Sequence, residues 1–396
     1  MLPDPAPPQI SLLDGFFYAE DPHPAFRWMR DHAPVYRDEA GSCWGIARHA
    51  DIMWISKRPS LFSSAAGSRP DSPPIPSMIN LDDPAHKRRR NLVNRGFTPR
   101  QVQQLEPLIR RVCRERIGQA LERGRFDFVR EVAAPLPMIV IGEMLGVAPE
   151  DRELLLRWSD EMILGTSSSA TPERAEAAAR AFREYAAYHA RVVEGRRRRP
   201  GEDLISVLVH AEIDGERLSD EELLQESLLI LVGGDETTRH VISGGLEALL
   251  RHPDQKRRLL REPAGLPVAI EEMLRWVTPI QNMARHLTRD VELRGTKLSE
   301  GDTLLLLYPS ADRDERVFER PEVFEIGRSP NPHVAFGGYG THFCLGASLA
   351  RLELRVVFEE LLPALPALEL ASDEPPPRRP SNFIVGLEAL PVVYRP

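Results

Sequence analysis

Phe336-Gly337-Gly338-Tyr339-Gly340-Thr341-His342-Phe343-Cys344-Leu345-Gly346 places one cysteine in a glycine-rich loop, directly ahead of an amphipathic helix. From Leu345 to Leu362 the apolar residues Leu345, Leu349, Leu352 and Val356 recur at helical spacing, and Pro363 should end the element. Glycines let a backbone approach closely and adopt positive φ, so such a loop can present a thiolate with N–H groups aimed at the sulfur. The helix N-terminus would favour negative charge on Cys344 and lower its thiol pKa. The plain alternative is a tight turn around an inert cysteine. The full run, with His342 before the cysteine and Gly346 after it, argues against that.

Working back along the chain, Ser219-Asp220-Glu221-Glu222 is a capping box. It opens a helix expected to reach about His252, ahead of Pro253. A helix of about 30 residues is about 45 Å long, enough to cross a domain. At its centre, after Leu229-Ile230-Leu231-Val232, stands Gly233-Gly234-Asp235-Glu236-Thr237-Thr238. Each glycine costs about 1 kcal/mol in a helix interior, and threonine is β-branched. A poor local choice inside an apolar helix signals either a kink or a function. Further on, Glu272 and Arg275 lie at i, i+3, ordinarily an exposed pair worth a few tenths of a kcal/mol.

The rest of the sequence reads as mostly helix. Stretches 101–121, 152–166 and 171–191 have helical periodicity, with Pro107 expected to split the first. Short strands are expected at 35–37, 43–46, 291–293, 303–307 and 391–394. The 36 prolines are spread along the chain with no linker among them, so its 396 residues are read as one domain, 1–396, mainly α with small β-sheets. No apolar run of about 18 residues exists and the N-terminus lacks a basic, then apolar, leader, so neither a membrane span nor a signal peptide is expected. The cysteines, 3 in number and far apart, fit a reducing cytoplasm. A net charge of −8 disfavours nucleic-acid binding. Basic clusters stand at Lys87–Arg90, at Arg110, Arg111 and Arg114, and at Arg196–Arg199, the last expected in a solvated loop.

The cysteine loop resembles the haem-binding loop of the cytochrome P-450 family. Phe336 stands one place further from the cysteine than in the usual pattern, so Gly337-Gly338 looks like a one-residue insertion. The resemblance, which covers nearly the whole chain, implies that family's helical fold with small sheets. It implies haem b held by Cys344 as the axial iron ligand, whose thiolate favours O–O cleavage. It implies Glu236 and Thr237 as an acid–alcohol pair relaying protons for the oxygen chemistry. It makes Glu272, Arg275 and Arg328 a buried structural triad. His86, Arg90, Arg285, His342 and, less directly, His333 match positions that meet the haem propionates; His86 and Arg90 share one helix face. The remaining cations of the Lys87–Arg90 cluster, with Arg95, Arg351 and Arg355, would form a docking face for an acidic ferredoxin.

The implied activity is insertion of one O2 oxygen into an unactivated C–H bond of a hydrophobic substrate, with electrons from a separate ferredoxin and ferredoxin reductase. A haem-thiolate peroxygenase typically replaces the acid–alcohol pair, and a non-enzymatic haem sensor would not need it. A zinc or iron–sulfur site lacks companion ligands near Cys344 and His342. Ile75, Met78, Ile79, Val232, Gly233, Val277, Ile280, Met283, Phe383 and Ile384 match substrate-facing positions and form an apolar lining. Phe16-Phe17-Tyr18, Asn80-Leu81-Asp82-Asp83-Pro84, Gly96-Phe97-Thr98 and Gly233 to His240 resemble actinobacterial steroid side-chain monooxygenases. That resemblance implies the terminal methyl of a sterol or sterone side chain as the target. A tailoring hydroxylase of a polyketide, macrolide or terpene is the alternative.

Overall fold

The computed structural model describes residues 8–69, 72, 74–165, 171–212 and 215–396. The opening segment read above for a leader, and Thr166, lie outside the described residues.

Helices dominate and end where the local chemistry says they should. Pro107 splits its stretch into Pro99–Gln104 and Glu106–Arg123, sitting in the first turn of the second helix, where its missing N–H is harmless. The capping box forms at the head of the long helix Asp220–Arg251: Ser219 Oγ accepts from Glu222 N–H at 3.2 Å, and the Glu222 carboxylate accepts from Ser219 N–H at 2.9 Å. This helix runs unbroken through Gly233-Gly234, so the glycines do not kink it. Gly234 makes room instead, because a Cβ there would strike Ile141 of helix Pro135–Met144. Helix Pro172–Arg198 extends past its expected end at Arg191. Arg196 to Arg198 form its last turn rather than a loop, a favourable place for cations. Arg196 bonds Asp203 at 2.5 Å and the Gly146 carbonyl at 3.0 Å.

Five strands form the main sheet, in the order Val35–Asp38, Cys43–Ile46, Thr303–Leu307, Asn282–Leu287, Phe62–Ser63. The second and third of these pair in parallel, the rest antiparallel. Asn282–Leu287 escaped the sequence reading because Arg285 and His286 interrupt its apolar pattern. Alternation along it puts Met283 and Arg285 on one face. Smaller sheets join Arg125–Asp127, Pro391–Tyr394 and Leu368–Leu370, and Val291–Leu293 with Thr296–Leu298.

The largest core lies among the long helix, Glu106–Arg123, Pro135–Met144, Leu266–Val277 and Ala347–Leu361. Two smaller clusters cover the faces of the main sheet, Leu304 and Leu306 in one and Leu305 and Leu307 in the other. Cys43 and Cys113 are buried and free, and burial pushes both thiols up to about 12. No helix among the described residues is long and apolar enough to cross a membrane.

Candidate functional site

Glu272 and Arg275 leave the surface and become the anchor of the site. Both are fully buried, and Arg275 Nε and Nη2 each donate to Glu272 at 2.7 Å. Arg328 Nε donates to the same carboxylate at 3.0 Å. The guanidiniums reach further, Arg275 to the carbonyls of Asp312 and Pro321 and Arg328 to that of Glu319. A single carboxylate thus pins the irregular segment that leads into the cysteine loop.

In that loop Cys344 N–H donates to the Phe336 carbonyl at 2.9 Å, closing the turn across the extra residue. Gly337 has φ +93° and Tyr339 φ +55°, so the insertion is absorbed by two left-handed residues, one of them glycine. Gly340 lies against the backbone of Ser56, with no space for a Cβ. Arg90 holds the loop from the other side, donating to the carbonyls of Thr341 at 2.9 Å and Phe343 at 2.5 Å. Its donors therefore serve the backbone as well as the cavity it faces.

Cys344 stands accessible in the wall of a cavity of about 290 Å³, with packed protein behind it. Burial is the largest influence on the thiol and holds it above its ordinary value, contrary to the lowering expected from the helix terminus. The expected pull is present but smaller, from the N–H groups of Gly346 and Ala347 and from Arg90 and Arg351. A metal cation at the sulfur would supply the remainder.

His86, Arg90, Arg285 and His342 line this cavity together. The His86 and His342 rings lie 4.2 Å apart. Burial, reinforced by Arg285, His86 and Arg90, pushes His342 down to about 2. Arg285 is buried, donates to the Ala284 carbonyl at 2.7 Å, and has no carboxylate partner among the described residues. A buried guanidinium without a counter-charge, beside donors that depress one another, fits a ligand bearing carboxylates. The donor set thus fits haem: a thiol on one wall and a cationic corner for the propionates. His333 is a correction. It does not line the cavity, and its Nε2 meets Glu271 at 3.0 Å, bracing the loop's approach.

On the long helix, Gly233, Gly234, Thr237 and Thr238 line the cavity. Thr237 Oγ1 donates to the Gly233 carbonyl at 2.8 Å, leaving its lone pairs for the cavity. Glu236 does not line it. Adjacent helical residues point about 100° apart, and Glu236 turns to Arg239, to Arg379 at 3.0 Å and to His240 at 3.2 Å. Arg239, Arg379, Asp160 and Glu388 line a second, polar cavity of about 370 Å³ on that side. Glu353 is a residue the sequence reading missed: buried, lining the main cavity and bonded to Thr238. Burial, aided by Asp235, pushes its carboxyl well above the usual range. Its signal was an acid four residues after Leu349 on the apolar face of the cysteine helix.

Of the expected substrate-facing residues, Met78, Ile79, Val232, Gly233, Ile280, Met283, Phe383 and Ile384 line the cavity. Ile75 does not, and stands 40% exposed. Val277 packs against Gly244 of the long helix instead. The basic face is also more neutralised than its sequence implies. Arg88 pairs with Glu216, Arg89 with Glu222 and Glu226, Arg351 with Glu271, and Arg110 and Arg355 share Glu106 and Glu359.

Comparison with known proteins agrees with this geometry. The family model described as Cytochrome P450 matches residues 159–264 and 266–393. The chain is 51% identical over 391 residues to a steroid C26-monooxygenase of Mycobacterium tuberculosis, covering 98% of each chain. It is 40% identical over 361 residues to a methyl-branched lipid omega-hydroxylase of the same species, covering 89% of this chain and 84% of the other. Among solved structures, CYP109E1 of Bacillus megaterium in complex with testosterone superposes with a TM-score of 0.87 at 36% identity, covering 95% of this chain and all, 100%, of that one.

Proposed function

The chain belongs to the cytochrome P450 family of haem-thiolate monooxygenases, and from that membership we propose that it hydroxylates the terminal side-chain methyl of a sterol or sterone. The observation that carries the substrate is the 51% identity over 98% of the chain to a steroid C26-monooxygenase. The cavity supports it: Ile79, Val232, Ile280, Met283, Phe383 and Ile384 offer a long hydrocarbon tail apolar walls and no hydrogen bonds. Shape then sets orientation, and each methylene discriminates by only about 1–3 kcal/mol, so related sterones should also react.

The group that reads as haem b, held by Cys344, would supply the oxygen-activating chemistry. His86, Arg285 and His342 would hold its carboxylates, and Arg90 the loop beneath it. Thr237, whose hydroxyl proton goes to the Gly233 carbonyl, is placed to accept a hydrogen bond from the cavity, and would pass a proton on by releasing that carbonyl. Glu236 would take protons from the polar cavity, where its ion pairs with Arg239 and Arg379 and its contact with His240 hold the carboxylate, and would reach Thr237 by turning its side chain toward the main cavity. The apolar lining excludes water from the path of the substrate. Electrons would come from a ferredoxin and its reductase, in the cytoplasm, and the whole chain would act as one domain.

The test is incubation with a ferredoxin, its reductase, NADH and cholest-4-en-3-one. A substrate-induced spectral shift and a terminal alcohol or acid are expected. Neither, alongside turnover of a macrolide or terpene, would favour a tailoring hydroxylase instead.

A further inference from the structure

One buried acid of the long helix takes no part in the chemistry above. Glu226 is fully buried, about one turn before the cavity-lining Leu229 and Ile230. Its Oε1 accepts from Met78 N–H at 2.7 Å and from Arg89 Nη1 at 3.3 Å, while Oε2 has no partner. Arg89 Nη1 also donates to the Pro76 carbonyl at 3.0 Å, and Nη2 pairs with Glu222. The two side chains therefore grip both sides of the short turn Met78–Asn80, whose Met78 and Ile79 line the cavity. At its far end the turn is tied by Asn80, whose N–H donates to the Ser77 carbonyl at 3.0 Å and whose Oδ1 accepts from Ser68 N–H at 2.7 Å; at its Met78 end the tie to the long helix is Glu226. Arg89 belongs to the basic cluster expected to face a redox partner, and it is turned inward instead.

We infer that Glu226 is the latch that fixes the turn Met78–Asn80 against the long helix, and so sets which carbon of a bound chain reaches the reaction centre. A buried acceptor that receives a backbone N–H costs more to remove than to replace by another acceptor. Glutamine at this position keeps an oxygen for Met78 N–H; leucine does not. The charged groups facing Glu226 are Arg89 from helix Ala85–Val93 and Glu222 from its own helix; the turn offers only an N–H. Burial outweighs Arg89 and raises the Glu226 carboxyl to about 7. The latched turn therefore binds the proton more tightly than an opened, solvated one. The latch is firmest at acid pH and loosens as pH rises through about 7.

The experiment compares wild type, Glu226→Gln and Glu226→Leu by hydrogen exchange of the segment Ile75–Leu81, by spectral titration with cholest-4-en-3-one, and by product distribution. Exchange needs no substrate, so it decides the latch even if the sterol reading, on which the regiochemical arm rests, fails. Glu226→Leu should keep the carbon monoxide spectrum, exchange faster in Ile75–Leu81, weaken the titration roughly tenfold and spread oxidation along the side chain. Glu226→Gln should come nearest the wild type at the acid end, near about pH 5, and should not share its loss of protection and affinity as pH rises to about 8. Leucine indistinguishable from wild type, or glutamine exchanging as fast as leucine, overturns the inference. Should Glu226→Leu not fold, glutamine against wild type decides alone, and parallel pH dependences overturn it.

Discussion

Glu272→Ala removes the one carboxylate shared by two guanidiniums, Arg275 at 0% exposure and Arg328 at 7%. Breaking a buried pair by deleting one partner costs about 3–5 kcal/mol, because the other charge stays buried and uncompensated. Two cations lose their counter-charge here, and Glu325 N–H and Asn331 Nδ2 lose an acceptor, so the upper end, about 5 kcal/mol, applies. Unfolding entropy of about 2.1 cal/mol/K per residue over 396 residues gives about 0.8 kcal/mol/K. The melting midpoint should therefore fall by about 6 °C. Because the triad pins the segment leading to Cys344, the carbon monoxide complex of the reduced protein should also lose part of its thiolate signature before global melting. Thermal melting and that spectrum, recorded across the same temperatures, check both parts. Glu271→Ala is the contrast, since its side chain is 29% exposed and its loss should cost about 1 kcal/mol. A Glu272→Ala protein melting within about 1 °C of wild type, with an intact spectrum, would refute the reasoning.

Cys344→Ser should abolish the red-shifted Soret band of the reduced carbon monoxide complex; a retained band would remove Cys344 as the iron ligand. Thr237→Ala should bind haem and substrate as before but divert NADH-derived electrons to hydrogen peroxide, measured as the ratio of product to NADH consumed. An unchanged ratio would exclude this hydroxyl from proton delivery. Gly340→Ala forces a Cβ into the Ser56 backbone, so haem content and the thiolate band should both fall, and a variant with full haem content and an unshifted band contradicts that packing.

The sequence made the cysteine loop, the capped long helix and the charge triad legible because each depends on local spacing. A capping box is written in four residues, and i, i+3 pairing is a property of any helix. Burial is not local, and that is where the reading went astray. Nothing within ten residues of Arg89 says that it turns inward, since its partners Glu222 and Glu226 lie more than a hundred residues on. Strand Asn282–Leu287 was hidden by Arg285, whose polarity reflects the cavity rather than solvent. His333 and Val277 sit in segments that border the site, and only the fold decides which side of the backbone faces it.

The long helix shows the same limit within one element. Its polar residues point to different compartments: Glu226 to the loop over the cavity, Thr237 into the cavity, and Asp235 and Glu236 to its far side. Ser159 Oγ donates to Asp235 at 3.1 Å, and burial raises that carboxyl to about 6. A period of 3.6 residues separates these directions but does not name them. Glu226, Asp235 and Glu236 each meet a different neighbouring segment, at Met78, Ser159 and Arg379. Replacing one of them by an apolar residue of like volume could leave the helix intact, yet it would release the segment that the acid held. Catalytic position, rather than folding, is therefore the property most exposed to change at these sites.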